Sequence, residues 1–252
     1  MMNVNELVGI LDVIAPLSMA EEWDNVGLLL GHGEAEVETI LICLDVTHHA
    51  LERAVEEGAG LILSHHPLIY DPLKTITDPL LLRIIEEKVA VIALHTNYDA
   101  VRMNGLLADS LGIINGRGVL SSGNEKGFLG IQGDFSREMS GDMLLAKVKD
   151  VFGVSNLRIS GKERPVYRTA AVAGGGLGSM TPYIGDLDAD VFITGEVKYN
   201  HAVVLSGRGP LVVEAGHYQT ERIFIRDMAS LLRENTSLKG IIEHEEELTR
   251  YL

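Results

Sequence analysis

The sequence contains almost no cysteine. Its 252 residues include one, Cys43, which stands within the apolar run Ile40-Leu41-Ile42-Cys43-Leu44. A single cysteine excludes a disulfide within the chain, and it equally excludes a zinc site built from several thiolates. Any metal ion bound by this chain must therefore be held by nitrogen and oxygen ligands.

Long apolar runs and an excess of basic residues are also missing. Hydrophobic residues make up 46% of the chain, yet no run approaches the roughly 18 to 20 residues that cross a bilayer. Residues 1–6 carry an acid and no base, unlike a signal peptide, so we expect a cytoplasmic protein. With 36 acidic and 21 basic residues the formal charge is -15, which makes non-specific nucleic-acid binding unfavourable.

The hydrophobic pattern predicts strands that alternate with helices. Asn3 and Glu6 have the spacing of a capping box, and the first helix is expected to end near Pro16. Further helices are predicted from about residue 50, after Asp78-Pro79, around residues 143–152 and from about residue 220. Strands are predicted at 39–44, 61–63, 89–94, 128–132, 169–173, 190–194 and 211–213. This alternation is typical of βαβ units, and therefore of an α/β fold with parallel sheet.

A change in composition divides the predicted fold into two lobes. Residues 115–124 are rich in glycine, serine and asparagine, which favour turns and loops. We therefore predict a first α/β lobe at 1–123, a second at 124–207, and a C-terminal segment, 208–252, that returns to the first lobe. The expected architecture is two interlinked α/β lobes with mostly parallel sheets.

Metal-type or acidic residues follow four of the predicted strands. These are Ser64-His65-His66-Pro67 after 61–63, His95 after 89–94, Glu196 after 190–194 and Gly216-His217 after 211–213. In open α/β sheets the ligand crevice lies at the carboxyl ends of the strands. Independent strands are therefore expected to deliver these side chains to one edge.

Two carboxylates follow histidines at a spacing of four. Asp99 comes four residues after His95, and Glu221 comes four residues after His217. If the chain turns into a helix at each place, this spacing puts the paired side chains on one helix face.

The adjacent histidines His65 and His66 would point to opposite faces of an extended strand. They can share a site only where the strand has ended and Pro67 redirects the chain. Three imidazoles and two carboxylates are more ligands than one metal ion needs, and they suit two ions. In two-metal sites the ions lie roughly 3.5 to 4 Å apart. Mixed nitrogen and oxygen ligands fit Zn, Fe, Mn or Co without choosing among them.

Five segments form an ordered set of motifs along nearly the whole chain. They are Glu22-Trp23-Asp24-Asn25-Val26-Gly27-Leu28, Ser64-His65-His66-Pro67-Leu68-Ile69-Tyr70, His95-Thr96-Asn97-Tyr98-Asp99, Thr194-Gly195-Glu196-Val197-Lys198-Tyr199 and Gly216-His217-Tyr218-Gln219-Thr220-Glu221. The set resembles the signature segments of the NIF-three-like family, whose members are often labelled GTP cyclohydrolase type 2 homologues. The resemblance implies a two-lobed α/β subunit, a dinuclear metal centre and a ring-shaped homohexamer.

The resemblance also implies a ligand set for the two divalent ions. It assigns metal binding to His65, His66, Asp99, His217 and Glu221. The resemblance places His95 near the site. Three roles stay open for it: it could ligate a metal, orient a ligand through a hydrogen bond, or act as an acid and base. The run Gly174-Gly175-Gly176 fits a phosphate-binding turn, although a tight strand-to-helix turn needs glycine in either case.

These residues lead to a functional expectation. A cationic dinuclear centre attracts hydroxide or phosphate and lowers the pKa of bound water. We expect a metal-dependent hydrolase in which His95 and Glu196 move protons, acting on a nucleotide, a related cyclic amide or a phosphoester. The family label would make the substrate GTP. The alternative is a protein that binds metal, or acts as a ring-shaped scaffold, without turnover.

The remaining motifs have simpler interpretations. The pair His48-His49 stands at a predicted helix start and is interpreted as a solvated helix terminus. His32 and His244 are expected at the surface, and His201 stays undecided. Trp23-Asp24-Asn25 is interpreted as a packed corner, with Asp24 able to line the cleft.

Overall fold

The computed structural model describes residues 2–122 and 127–249 and divides the chain into two compact units. The first unit is Met1–Tyr98 with Phe224–Leu252, and the second is Asp99–Ile223. Among the described residues, no helix has both the length and the apolar composition that a membrane span requires.

The described residues form strands and helices in alternation, as the sequence predicts. The strands are β1 (Met2–Asn3), β2 (Gly27–Leu30), β3 (Glu36–Val37), β4 (Thr39–Cys43), β5 (Leu61–Ser64), β6 (Ala90–Ala93), β7 (Ile113–Ser121), β8 (Phe128–Met139), β9 (Arg158–Ser160), β10 (Tyr167–Val172), β11 (Val191–Thr194), β12 (Leu211–Glu214) and β13 (Gly240–Glu243). The α-helices are α1 (Val4–Ile14), α2 (His48–Glu56), α3 (Pro79–Glu87), α4 (Thr96–Tyr98), α5 (Asn104–Ser110), α6 (Gly141–Phe152), α7 (Tyr199–Leu205), α8 (His217–Glu221) and α9 (Ile223–Asn235). Leu17–Met19 and Gly178–Asp186 are 3₁₀ segments, and Asp99–Met103 is a π-helical segment.

Local capping chemistry explains where the first helices begin. The Asn3 side chain accepts from the Glu6 backbone N–H, and the Glu6 carboxylate accepts from the Asn3 N–H, each at 2.8 Å. The predicted capping box is therefore confirmed. Thr47 caps α2 by accepting from Ala50 N–H, and Asp78 caps α3. Each cap satisfies backbone donors that the first helical turn leaves open.

The sheet of the first unit has the strand order β13-β4-β5-β6-β2. Its first four strands run parallel, and β2 is antiparallel to β6. The strands β4, β5 and β6 are buried almost throughout, which explains their continuous apolar sequences. Cys43 pairs with Ser64, and Ser64 pairs with Ala93. The carboxyl ends of the three strands therefore lie side by side.

The sheet of the second unit has the order β7-β8-β10-β11-β12-β9. Only the central strands β10, β11 and β12 run parallel. The outer pairings, β7 with β8, β8 with β10, and β12 with β9, are antiparallel. The expectation of mostly parallel sheet thus describes the first unit, whereas the second sheet is mixed. Its parallel centre brings the segments after Val172, Thr194 and Glu214 to one edge.

The observed units divide the chain at other positions than the predicted lobes. The predicted first boundary, at 123/124, lies outside the described residues, and the first unit ends at Tyr98 instead. Most of the turn-rich segment 115–124 belongs to strand β7, whose pairing register with β8 shifts between Ile114 and Arg117. Its turn-forming composition therefore reflects an irregular strand. The return to the first unit begins at Phe224, so His217 and Glu221 belong to the second unit.

The core of the first unit yields a stability prediction. Leu51 of α2 is completely buried in the cluster that also contains Leu41, Ile62 and Val91. Leu51→Ala removes buried methyl groups and leaves a cavity, so we expect the free energy of unfolding to fall by about 2–5 kcal/mol. Urea denaturation followed by circular dichroism measures this change.

The matched control is Val13→Ala, because Val13 is 84% exposed. A surface truncation of this kind should change the free energy of unfolding by no more than about 0.5 kcal/mol. Equal effects of the two substitutions would contradict the packing described for α2.

Candidate metal centre

Three histidines meet at the carboxyl edge of the sheet in the first unit. His65 and His66 follow β5, and His95 follows β6 at the next residue but one. The ring centroids are 5.0 Å apart for His65 and His66, 5.3 Å for His65 and His95, and 5.6 Å for His66 and His95. One ring nitrogen of each histidine lies within 4.8 Å of the other two. The adjacent strand ends therefore produce a compact imidazole cluster.

His65 is the buried member of this cluster. Its side chain is fully enclosed, and Phe224 and Tyr98 pack on its ring at centroid distances of 5.1 and 6.1 Å. The Nδ1 atom lies 2.8 Å from the backbone oxygen of Leu94. Because a carbonyl oxygen can only accept, Nδ1 carries the proton and Nε2 has a lone pair.

The other two histidines are oriented by carboxylates. His66 Nδ1 lies 2.8 Å from Asp45 Oδ1, and His95 Nδ1 lies 2.9 Å from Asp24 Oδ1. Metal-binding histidines typically donate their second ring N–H to a carboxylate or a backbone carbonyl, which fixes the tautomer and the ring orientation. All three rings of the cluster have such a partner at Nδ1. Each therefore has its lone pair at Nε2, which can bind an ion or take a proton.

Asp24 is held in its ionised form by the groups around it. Burial raises the pKa of Asp24, but hydrogen bonds from His95 and Thr96, together with the charge of His95, outweigh burial and leave the pKa below its usual value. The Thr96 hydroxyl donates a short hydrogen bond to the same carboxylate. A buried carboxylate in this state stabilises an N–H, or a positive charge, on His95.

The orienting carboxylates were not assigned this role from the sequence. Asp45 directly follows Leu44 at the end of β4, so the rule that strand ends share an edge could have found it. Asp24 lies in an irregular segment, and no spacing rule connects it to His95. The interpretation of its neighbour Trp23 as part of a packed corner is wrong, since Trp23 is 64% exposed. Its ring lies edge-on to His95 at 6.1 Å.

The second unit brings together another imidazole and two carboxylates. His217 and Glu221 lie on α8, where the spacing of four places His217 Nε2 3.0 Å from Glu221 Oε2. Glu196, which follows β11, lies with Oε1 3.3 Å from His217 Nδ1. Glu221 is buried, whereas the Glu196 side chain is 65% exposed. His217 therefore has a carboxylate at each ring nitrogen, and Glu196 stands where an orienting group would stand.

A glycine allows the backbone to approach this pair. Gly175 has φ +54°, and a Cβ atom there would overlap Glu221 Oε1 and lie 3.1 Å from His217 Nε2. The turn is fixed because Gly175 N–H donates to Thr220 Oγ1, while the Gly175 oxygen accepts from the N–H groups of Gly195 and Glu196. The glycine run thus has a steric reason that requires no phosphate.

Asp99 begins the π-helical segment of the second unit. The Asn104 side chain donates to the Asp99 backbone oxygen at 3.0 Å, and its oxygen accepts from Gly174 N–H at 3.1 Å. Asn104 therefore joins the segment that carries Asp99 to the glycine turn beside Glu221. π-helical turns occur frequently at functional sites.

The donors in each unit fit a divalent transition metal. The first unit offers three imidazole nitrogens, and the second offers an imidazole and a buried carboxylate, all of which are ligand types for Zn, Fe, Mn or Co. Burial raises the pKa of the Cys43 thiol far above its usual value, so this cysteine does not offer a thiolate that would compete with these groups for a metal ion.

The remaining histidines lie in different surroundings. His32 is exposed, as expected, and His48-His49 does begin a helix, α2. His244 is only 2% exposed, so its assignment to the surface is wrong. His201 lies on α7, and its Nδ1 is a buried atom without a hydrogen-bond partner among the described residues. The sequence does not reveal such burial, because it depends on which elements pack together.

The Asp45–His66 contact yields a prediction for metal affinity. Asp45→Asn removes the negative charge but keeps the shape of the side chain, and its amide can present either an acceptor oxygen or a donor N–H to His66 Nδ1, so the tautomer of His66 is no longer fixed. We expect the affinity for Zn²⁺ to fall by about 10- to 100-fold. Competition with a chromophoric chelator measures it, and the exposed Asp109→Asn serves as control. An unchanged affinity in Asp45→Asn would show that this contact does not support binding.

Two glycines give a matched test of the turn beside Glu221. Gly175 and Gly178 both have positive φ, +54° and +49°, but a Cβ atom at Gly178 meets nothing within 4 Å. Alanine should cost about 1–2 kcal/mol of backbone strain at either position. Only Gly175→Ala should also displace Glu221 and lower the metal content measured by elemental analysis. Equal metal content in the two variants would contradict the steric role of Gly175.

Comparison with known proteins agrees with the motifs. The family model described as Duf34/NIF3 (NGG1p interacting factor 3) matches residues 2–247. A "GTP cyclohydrolase 1 type 2 homolog" of Clostridium perfringens is 32% identical over 233 residues, 87% of each chain. The "GTP cyclohydrolase 1 type 2" of Helicobacter pylori strain J99 is 32% identical over 234 residues, 91% of each chain.

A solved structure shows the same fold. The Bacillus cereus protein related to NIF3 superposes with a TM-score of 0.88 at 21% identity, covering 100% of this chain and 99% of that one. The family model covers almost all of this chain, and the predicted resemblance is thereby confirmed: the chain belongs to the Duf34/NIF3 family.

Proposed function

We propose that the protein is a metal-dependent hydrolase with two divalent ions per subunit. The proposed ligands are His65, His66, Asp99, His217 and Glu221. The observation that carries the proposal is the cluster of three imidazoles whose Nδ1 atoms all face oxygen acceptors. Partners of this kind at Nδ1 are typical of histidines that bind a metal through Nε2. Within the second unit, the pair on α8 offers an imidazole and a buried carboxylate, which are also metal-ligand types.

When bound, divalent ions supply Lewis acidity, which polarises a carbonyl or phosphoryl oxygen and lowers the pKa of water. The chain's own groups then have to move protons. We assign His95 to this task, because Asp24 at its Nδ1 stabilises the imidazolium that forms when Nε2 takes a proton. His95 is also partly exposed, at 14%, whereas His65 is fully enclosed.

Glu196 is the second group that we assign to proton transfer. Its carboxylate is well exposed and lies 3.3 Å from His217 Nδ1. In that position it can hold His217 in one tautomer, and it can also exchange a proton with solvent. A carboxylate that does both would couple the ligand histidine of the second unit to the reaction.

The proposed substrate class is a nucleotide, a related cyclic amide or a phosphoester. The Helicobacter pylori relative carries the name GTP cyclohydrolase 1 type 2, which makes GTP the first compound to test. Two exposed aromatic rings, those of Trp23 and Tyr70, lie edge-on to His95 at 6.1 and 6.0 Å. Exposed aromatic faces beside a polar cluster suit the stacking of a planar base. The homohexamer and the cytoplasmic location stay predictions from the sequence.

The test compares metal-loaded wild type with variants on GTP, a cyclic amide and a phosphodiester. Glu221→Ala should lose bound metal and turnover together. His95→Gln should keep its metal but lose about 100- to 10,000-fold in kcat, the usual contribution of a general acid or base. His32→Ala, which changes an exposed histidine, is the control and should behave as wild type.

Two results would count against the hydrolase. Turnover that survives both His65→Ala and Glu221→Ala would contradict a metal-dependent mechanism. Tight metal binding without turnover on any of the three substrate classes would instead favour the metal-binding or scaffold alternative.

A further inference from the structure

A second cluster of metal-type side chains lies elsewhere in the first unit. His49 comes from the first turn of α2, and His244 and Glu246 come from the segment that follows β13. His49 Nδ1 lies 3.3 Å from Glu246 Oε1, and His244 Nε2 lies 3.3 Å from Glu246 Oε2. One ligand atom from each of the three residues lies within 4.8 Å of the other two. The cluster shares no residue with the proposed dinuclear centre.

We propose that His49, His244 and Glu246 form an additional binding site for one divalent ion of the Zn²⁺ type. Two imidazoles and a carboxylate are a common three-residue ligand set for zinc. The two imidazole rings form a T-shaped pair, with centroids 5.0 Å apart and planes at 77°. The site would join the N-terminus of α2 to the last described segment of the chain.

Two of the three ligands are already held in place. Glu246 Oε2 accepts from the Thr47 hydroxyl at 2.6 Å, and Thr47 is itself fixed as the N-cap of α2. His244 is buried, and its backbone N–H donates to the oxygen of Ile42 at 2.9 Å. His49 is the exposed ligand, with 65% of its side chain accessible. The cluster therefore reaches solvent through His49.

The net charges of the held ligands are those that a metal requires. Burial lowers the pKa of His244, and although Glu246 raises it, the nearby charges of His49 and Arg53 add to the lowering. Burial raises the pKa of Glu246, but hydrogen bonds from Thr47, His244 and His49 outweigh it and lower the pKa overall. A neutral imidazole and an ionised carboxylate carry the charges that a metal site needs, although the His244 proton must move from Nε2 to Nδ1 before Nε2 can bind an ion.

One neighbouring group opposes the ion. Arg53 Nη1 lies 3.5 Å from His244 Nδ1 and 3.2 Å from the backbone oxygen of Glu243. When Nε2 binds an ion, the neutral ring must carry its proton on Nδ1, which faces this guanidinium. Arg53 therefore disfavours both the ion and the required tautomer. We expect this site to bind Zn²⁺ with lower affinity than the dinuclear centre, and we attribute part of the difference to Arg53.

The experiment titrates Zn²⁺ into the full chain after removal of metal, using isothermal titration calorimetry to resolve classes of site. Wild type should show one weaker ion in addition to those of the centre. His49→Ala and Glu246→Gln should each lower the affinity of that class by about tenfold or more, since even groups outside the ligand set commonly contribute this much. Arg53→Gln should raise it by about threefold or more, because it removes a nearby positive charge.

His48→Ala is the matched control, because His48 is an exposed histidine in the same helical turn but outside the cluster. It should leave every class unchanged. The weaker class should also survive in Glu221→Ala, which separates this proposal from the fate of the dinuclear centre. Equal titrations for wild type, His48→Ala and His49→Ala would overturn the proposal, and so would the absence of any weaker class in wild type.

A second measurement counts the imidazoles. The imidazole cluster of His65, His66 and His95 can also bind Cu²⁺ in Glu221→Ala, so the site is measured as the difference between the electron paramagnetic resonance spectra of Glu221→Ala and Glu221→Ala/His49→Ala. The component lost on His49→Ala should have two nitrogen ligands, and the component that replaces it should have one. His49 is exposed, so its replacement does not threaten the fold. A spectrum that is identical in the two proteins would exclude His49 as a ligand.

Discussion

The first unit depends on the parallel pairing of β4, β5 and β6. Their register puts Cys43, Ser64 and Ala93 in one row, so the next residues of all three strands leave the sheet at the same place. Hydrogen bonds continue beyond the strands, since His65 N–H donates to the oxygen of Cys43 and Leu94 N–H to that of Ser64. The imidazole cluster is therefore a consequence of strand register, and a shift by one residue would exchange the faces to which these side chains point.

Strand register brings the three imidazoles together, but it does not decide which nitrogen of each ring carries the proton. A free imidazole can carry its proton on either nitrogen, and only the acceptor that it meets decides which one. The three acceptors come from different places: the Leu94 backbone, Asp45 at the end of β4, and the irregular segment with Asp24. Burial of Asp24 would by itself favour its neutral form, so the lowered pKa of Asp24 depends on the hydrogen bonds from His95 and Thr96. Cluster and acceptors thus stabilise one another before any ion is bound.

The sequence predicted those parts of the molecule that local rules determine. Capping at Asn3, the strands β4 to β6 and the pairing of His217 with Glu221 follow from spacing along the chain, because a helix or strand has a fixed repeat. The boundary predicted at 123/124 lies outside the described residues, and most of the composition that suggested it belongs to β7, because an irregular strand and a loop share the same turn-forming residues. The burial of His244 was also missed: its neighbours in sequence are polar, and only the pairing of β13 with β4 brings it under α2.

Two identical His-His pairs show why residue type alone does not define a site. At His65-His66 a strand has just ended, so the chain is free of both regular repeats and the two rings can turn towards one point. At His48-His49 a helix is beginning, and successive side chains on a helix diverge by about 100°. Only His49 then faces the segment that carries Glu246, while His48 faces solvent. The same dipeptide thus brings two imidazoles to one point in one context and only one imidazole to a cluster in the other, and the backbone that follows decides between them.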